Sequence, residues 1–374
     1  MKYRLGEIAE IIMGQSPKSQ YYNNTGDGIP FLQGNRTFGF KKPIFDTYTT
    51  HITKTAKVGD VIMSVRAPVG DLNITPKDIC IGRGVCSLRM KNGNQEFLYY
   101  MMKYYVNHLL KRESGTVFGS VNRHDIETLE IDIPEDENVQ KKIARYLSMI
   151  DEKIELNSSI NNNLLQQLHV LYLRLFCNSA MDTPLGDVVA TTSGGTPSRK
   201  HDEYYSDSSI CWVKSKELLG NYIHETEEHI NDLAIKKSSA KLLPEHSVLI
   251  AMYGATVGAY GVISKPMTCN QAVCALLCNE NYPYTYLFQI AYESQQKFIN
   301  LAVGSAQQNI SQVLIKQLNL HSDLNIIQRF HDLALPMHQE IEFLQAENIR
   351  LSDLRDNLLP KLMSGELDVS DIVL

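Results

Sequence analysis

The stretch His224-Glu225-Thr226-Glu227-Glu228-His229 carries the residue types of a zinc-protease helix, in which two histidines one turn apart hold the metal and a glutamate acts as base. The spacing is wrong for that chemistry. The histidines lie five apart, which at ~100° per residue separates them by about 140° on a helix, against about 40° for a spacing of four. The stretch therefore reads as a solvated acidic segment. Cys269, Cys274 and Cys278 suggest a thiolate site, but they form no CxxC pair and stand among Val273, Ala275, Leu276 and Leu277, so they read as buried apolar cysteines. Asp151-Glu152-Lys153 could end a nuclease motif, yet no metal-binding carboxylate on a strand precedes it. It reads as an exposed helical face. The chain has no GxxxxGKS/T for ATP, no GxGxxG, and no Asn or Asp followed by Pro-Pro and an aromatic, the loop with which amino-methyltransferases grip an amine. Neither catalysis nor a metal site is expected.

Binding suits the remaining polar residues better. Gln33, Asn35 and Arg36 gather with Lys41 and Lys42 in one loop, and Lys214, Ser215 and Lys216 in another. Arg and Lys can contact guanine and phosphate, Asn and Gln can bond adenine, and Ser is permissive. Any one of them taken singly is an ordinary surface residue. Overall charge gives no more than a hint, because 36 Lys and Arg stand against 42 Asp and Glu, a net of -6. Its distribution is more telling. Residues 1–130 hold 17 basic and 12 acidic side chains, residues 177–320 hold 10 and 13, and residues 321–374 hold 4 and 10. Base lies in the first part and acid at the end, and the middle part needs a local patch or help from a partner.

These loops must be carried by something, and an internal repeat shows what. Leu5-Gly6-Glu7, Gly14 and Pro17 recur as Leu185-Gly186-Asp187, Gly194 and Pro197; Ala67, Val69, Gly70, Val85, Cys86 and Leu88 recur as Ala255, Val257, Gly258, Val273, Cys274 and Leu276. Each copy is a mixed globular part followed by a helix. Apolar runs at Asp60 to Val65, Val85 to Met90, Ser247 to Tyr253 and Val273 to Cys278 read as strands, while Phe97 to Leu110 and Tyr284 to Leu301 read as helices. A 3-and-4 spacing runs unbroken through Leu147, Ile150, Ile154, Asn157, Asn161, Leu164, Leu168, Leu171 and Leu175. It recurs through Ala334, Met337, Ile341, Leu344, Asn348, Leu351, Arg355, Leu358 and Leu362, where Arg355 and Pro336 are blemishes. Antiparallel pairing of two such helices about a pseudo-two-fold axis would bring Asn161 and Asn348 near the crossing, where they could fix register; otherwise each Asn faces solvent. The expected fold is therefore α/β in the α+β sense, with two similar globular domains (1–142 and 179–325) and two long antiparallel coiled-coil helices (143–178 and 326–374). At 43% hydrophobic and 21% charged residues the chain is an ordinary globular protein. The uncharged run Ser247 to Ser264 is too short and too glycine-rich for a span, Met1 to Glu10 has no apolar core, and seven cysteines make no disulfide framework. A cytoplasmic protein is expected.

The ordered duplication, with Gly59 to Gly70 and Ser247 to Gly258, the run from Gly304 to Ser311, and Gln140 and Gln328 ahead of the long helices, resembles the DNA-specificity subunit of type I restriction-modification systems over essentially the whole chain. That resemblance implies two target recognition domains, each reading half of a split sequence in double-stranded DNA, spaced by the two helices. It also implies a non-catalytic subunit that docks two methyltransferase subunits, which bring S-adenosylmethionine, and restriction subunits, which bring ATP and Mg. Candidate DNA contacts are then Ser16, Lys18, Gln20, Gln33, Asn35, Arg36, Lys41, Lys42, Arg66 and Arg83 in the first copy. In the second they are Ser198, Arg199, Lys200, Lys214, Ser215, Lys216, Tyr253, Asn270, Gln271, Gln307 and Gln308. A helix of about 30 residues is roughly 45 Å long, which spans on the order of 13 base pairs. The rival expectation is a duplicated coiled-coil scaffold that binds protein alone.

Overall fold

The computed structural model describes residues 1–111, 120–303 and 309–369. It forms two compact units, Met1–Leu156 with Ile349–Leu374, and Asn157–Asn348. In the first unit the chain passes through β1 (Ala9–Met13), β2 (Ile29–Leu32), β3 (Val61–Ser64), β4 (Leu72–Ile74), β5 (Ile79–Ile81) and β6 (Val85–Met90), then α1 (Gln95–Lys111) and the start of α2 (Glu137–Phe176). The main sheet is antiparallel in the order β1-β6-β3-β4, while β2 runs parallel to β5 in a smaller sheet.

Both faces of the main sheet are buried, as its near-continuous apolar runs demand. Val61 and Met63 of β3, with Cys86 and Leu88 of β6, face a core that includes Phe97 and Tyr100 of α1 and Leu147 of α2. Ile62 and Val85 point the opposite way, onto Leu32, Ile79 and Ile81 of the smaller sheet. The period-2 alternation thus splits one strand between two cores, each buried side chain stabilising the fold by about 1.5–3 kcal/mol.

The second unit repeats this plan. Its strands are β7 (Ala190–Ser193), β8 (Ile210–Val213), β9 (Asn221–Ile223), β10 (His229–Ile230), β11 (Val248–Ala251), β12 (Tyr260–Ile263), β13 (Thr268–Cys269) and β14 (Val273–Leu277), followed by α3 (Tyr284–Val303) and α4 (Leu324–Ser364). The sheet order β7-β14-β11-β12 matches that of the first unit, with β9 added at the edge, and β8 runs parallel to β13. The uncharged run is therefore β11, a turn and β12. No helix among the described residues is long and apolar enough to cross a membrane. Cys269 and Cys274 are fully buried, and burial pushes the thiols of Cys269, Cys274 and Cys278 up to about 12, as their apolar neighbours lead one to expect.

The two long helices pair antiparallel inside each unit. In the first, Asp151 meets Arg355, while Ile143 and Leu147 share a core with Leu359 and Leu362. In the second, Asn157 meets Asn348, and Tyr172 lies against Phe330. Three expectations need correction. Asn157 rather than Asn161 bonds Asn348, at 2.9 Å, because the partners slide by one helical turn from the assumed midpoint; Asn161 is buried with its Oδ1 unpartnered among the described residues. Asp151 is not on an exposed face: its carboxylate is buried, accepting from Arg355 at 2.8 Å and from Tyr100 at 2.6 Å. Arg355, a blemish in the heptad, is the partner that makes this burial tolerable, and the helix runs on through Pro336.

Candidate nucleic-acid interface

Each unit builds a loop frame between its two sheets, which opens as a cleft in the first unit, and the same backbone bonds build both frames. After β1 the chain turns so that Gly14 N–H donates to Val85 and Gln15 N–H to Ile81; after β7, Gly194 donates to Val273 and Gly195 to Cys269. Side chains are excluded at the first of these turns. A Cβ on Gly14 would stand 2.1 Å from the Gly82 carbonyl oxygen, and one on Gly194 would stand 2.2 Å from that of Cys269. The turn opposite, which leads from the small sheet into the main one, is tied to the small sheet by Gly82 N–H to Leu32 in the first unit and by Asn270 N–H to Val213 in the second. A tyrosine braces each frame: Tyr22 Oη donates to the Pro17 carbonyl at 2.8 Å, and Tyr205 Oη donates to that of Pro197 at 2.7 Å. Arg66 bridges Ser120 and Tyr253 bridges Asn309 beside these turns, again as equivalents.

The side chains lining these equal frames differ. In the first unit Ser16, Lys18, Gln20, Gln33, Arg36 and Arg83 line one open cleft of about 770 Å³, so six of the expected residues meet there. Gln33 Oε1 accepts from Ser16 at 3.1 Å, with Tyr22 Oη 3.4 Å away, which leaves the amide's Nε2 arm free to donate into the cleft. Arg83 is exposed at the tip of the turn into the main sheet. Arg36 is tied to Asp46, whose carboxyl it holds below the usual carboxylate range, and Asn35 donates to Asp71. Lys42 is exposed.

Lys41 does not belong with them. Its side chain is only 7% exposed and its ammonium donates to Glu96 at 2.8 Å and to Tyr100 and Ser148 at 3.3 Å, so it is a buried cation committed to these partners and cannot reach phosphate. Sequence gives no means of telling it from its neighbour Lys42.

In the second unit Lys214 and Gln271 occupy the places of Gln33 and Arg83, following β8 and at the tip of the turn. Ser198 and Lys200 are exposed in the loop after Pro197, and Ser215 and Lys216 follow Lys214. Asn270 is structural in part, its Oδ1 accepting from Ala272 N–H within that turn. Gln307 and Gln308 lie outside the described residues. The segment 224–228 is a loop between β9 and β10 in which Glu225 and Glu227 are exposed, and its carboxylates are ion-paired as well. Glu228 accepts from both Lys214 and Arg199, which hold its carboxyl below the usual range, while Glu227 pairs with Lys216 and Glu225 with Lys265. Arg199 also lies over the Tyr205 ring at 4.3 Å and the Trp212 ring at 5.5 Å. The local basic patch that the second part needs is present, and acid covers it.

Tyr22, Tyr205 and Trp212 escaped the sequence reading. Proline and tyrosine are five residues apart in one copy and eight in the other, so the repeat falls out of register at the cleft.

A family described as the type I restriction modification DNA specificity domain matches residues 1–166 and again residues 180–321. Over 149 aligned residues the chain is 40% identical to a Methanocaldococcus jannaschii protein described as a type I restriction enzyme MjaX specificity subunit, which takes in 39% of this chain and 35% of that protein. The MjaIX specificity subunit of the same organism is 24% identical over 417 aligned residues, covering 99% of this chain and 94% of the relative. The crystal structure of a type I S subunit from M. genitalium has a TM-score of 0.62 at 16% identity, covering 99% of this chain and 96% of that one, a likeness of fold.

Proposed function

The chain belongs to the type I restriction modification DNA specificity family, and on that premise we propose that it reads a DNA target in two halves, one with each frame, without catalysing anything itself. The observation that carries this reading is one backbone frame used twice with different polar residues at matching points: Gln33 and Arg83 in the first unit, Lys214 and Gln271 in the second. Such a frame presents donors and acceptors to base edges, where arginine suits guanine and glutamine suits adenine. Lys18, Lys42 and Arg66 in the first unit, and Ser198 and Lys200 in the second, suit phosphate, which sets register without reading sequence. Two methyltransferase subunits would then supply S-adenosylmethionine and the methyl transfer, and restriction subunits ATP and Mg, with the complex working in the cytoplasm. An α2 of 40 residues, about 60 Å long, is the strut that would fix an unread spacer between the halves.

The test is methylation mapping with the full chain assembled on its methyltransferase. Gln33→Ala with Arg83→Ala is expected to relax the bases of one half-site, at about 1–3 kcal/mol per lost bidentate contact, and to leave the other half intact. An unchanged motif, or partner binding with no DNA preference in the wild type, would overturn the reading in favour of a protein-only scaffold.

A further inference from the structure

His229, set aside in sequence because it cannot share a metal with His224 on a helix, sits instead on strand β10 opposite Cys211 of β8, its cross-strand pair. Glu225 reaches the same point from the preceding loop. The Cys211 thiol donates to Glu225 Oε2 at 3.4 Å, and His229 Nε2 lies 3.1 Å from the same oxygen. All three donor atoms lie within 4.8 Å of one another. Zinc with bonds of about 2.3 Å to sulfur and about 2.1 Å to nitrogen and oxygen, arranged tetrahedrally, puts neighbouring donors about 3.4–3.6 Å apart. The separations of Glu225 Oε2 from Cys211 Sγ and from His229 Nε2 lie within a few tenths of an ångström of those edges, and Cys211 Sγ and His229 Nε2 stand within 4.8 Å of each other.

We propose that Cys211, Glu225 and His229 form a zinc(II) site in the second unit, completed by water at the fourth position. One thiolate, one imidazole and one carboxylate is a donor set that favours zinc over magnesium or calcium. Lys265 stands against both Glu225, whose Oε1 its ammonium holds, and Cys211; zinc would take over the charge beside the thiol, leaving Lys265 on Glu225 Oε1 as an outer partner that orients the ligating carboxylate. Binding converts the Cys211 S–H to a metal thiolate and releases its proton to solvent, so affinity rises with pH. Access is from the side of Glu225, which is exposed, while Cys211 forms the buried floor. The metal would pin the loop that carries Glu227 and Glu228 onto Lys216, Lys214 and Arg199. This assignment is independent of DNA reading.

Cobalt(II) titration of the chelator-treated full chain tests it. The expected result is one equivalent bound, with a near-ultraviolet thiolate-to-cobalt band and visible bands of tetrahedral intensity, displaced by zinc. The bands should be lost in Cys211→Ser, kept in Cys177→Ser, an exposed thiol elsewhere, and their titration weakened at least tenfold in Glu225→Gln. Fluorescence of Trp212, beside Cys211, reports whether each variant is folded. Folded wild-type chain that gives no thiolate band, or bands that persist in Cys211→Ser or are unmoved by Glu225→Gln, would overturn the site.

Discussion

Replacing Arg355 by leucine isolates the most expensive charge in the first unit. The Arg355 and Asp151 side chains are 7% and 1% exposed, so neither is solvated in the folded state. Without Arg355, Asp151 keeps the Tyr100 hydroxyl and the charge of Lys103 but loses its ion-pair partner, and breaking a buried pair in this way costs about 3–5 kcal/mol. Asp151→Leu should cost less, at the lower end near ~3 kcal/mol, because Arg355 keeps a bond to the exposed carboxylate of Asp356 and lies 5.7 Å from the Phe40 ring. The double replacement removes both charges from an apolar seam and should fall within about 1 kcal/mol of the wild type. Urea unfolding followed by circular dichroism gives the free energies, and hydrogen exchange over residues 143–156 and 349–363 should show the loss in the single variants there. An Arg355→Leu chain within about 1 kcal/mol of wild type, or a double variant as unstable as the singles combined, would refute the claim that the pair exists to neutralise its own burial.

A heptad inserted into α2 between Asn157 and Leu168, with a matching heptad in α4 between 337 and 348, lengthens the pair by about 10.5 Å and should widen the unread spacer by about three base pairs in methylation mapping; an unaltered spacer rules out the strut. His338 is held down to about 3 by burial, with His331 and His246 nearby adding like charge, and bonds Tyr222. A histidine depressed this way takes up its proton in the unfolded chain first, so stability falls as pH drops from about 6.5 toward 3, by about 2 kcal/mol at pH 5. His338→Leu should flatten the pH dependence of unfolding by one proton over that window, and an equal slope in both chains counts against it. Glu228→Gln frees Arg199 and Lys214, and should steepen the salt dependence of duplex binding by about one to two counterions in anisotropy titrations. No change in slope would mean that neither side chain reaches phosphate.

What was legible in the sequence had a local period. Every expected seam position from Leu147 to Leu175 is buried or half-buried, because an apolar residue every three or four places has only one face of a helix to lie on. The strands around Val61, Val85, Val248 and Val273 were legible as short apolar runs, the pattern of strands buried on both faces. What was illegible joins residues far apart in the chain. Asp151 and Arg355 are separated by 204 positions, and each alone looks like a surface charge or a flaw. Lys41 and Lys42 are adjacent and identical in type, yet one is a buried counter-ion and the other is exposed. The acidic loop was read for its histidines on a helix that does not form, so its pairing with Arg199, Lys214 and Lys216 was out of reach.

The cleft frame explains how two readers can differ without two folds. Its turns are held by backbone N–H and C=O groups at Gly14, Gln15 and Gly82, and at Gly194, Gly195 and Asn270, none of which depends on the side chain at Gln33, Arg83, Lys214 or Gln271. Backbone bonds are available to every residue type except as donors from proline. A frame made of them fixes where a side chain starts and leaves its chemistry open. The side chains that do serve the frame are the small or closing ones, Gly14 and Gly194 against carbonyls at van der Waals limits, and Tyr22 and Tyr205 onto proline carbonyls. These are the positions that recur in the sequence repeat or match in structure, while the lining residues do not recur. The lining positions are free to diverge because a substitution there costs the frame little.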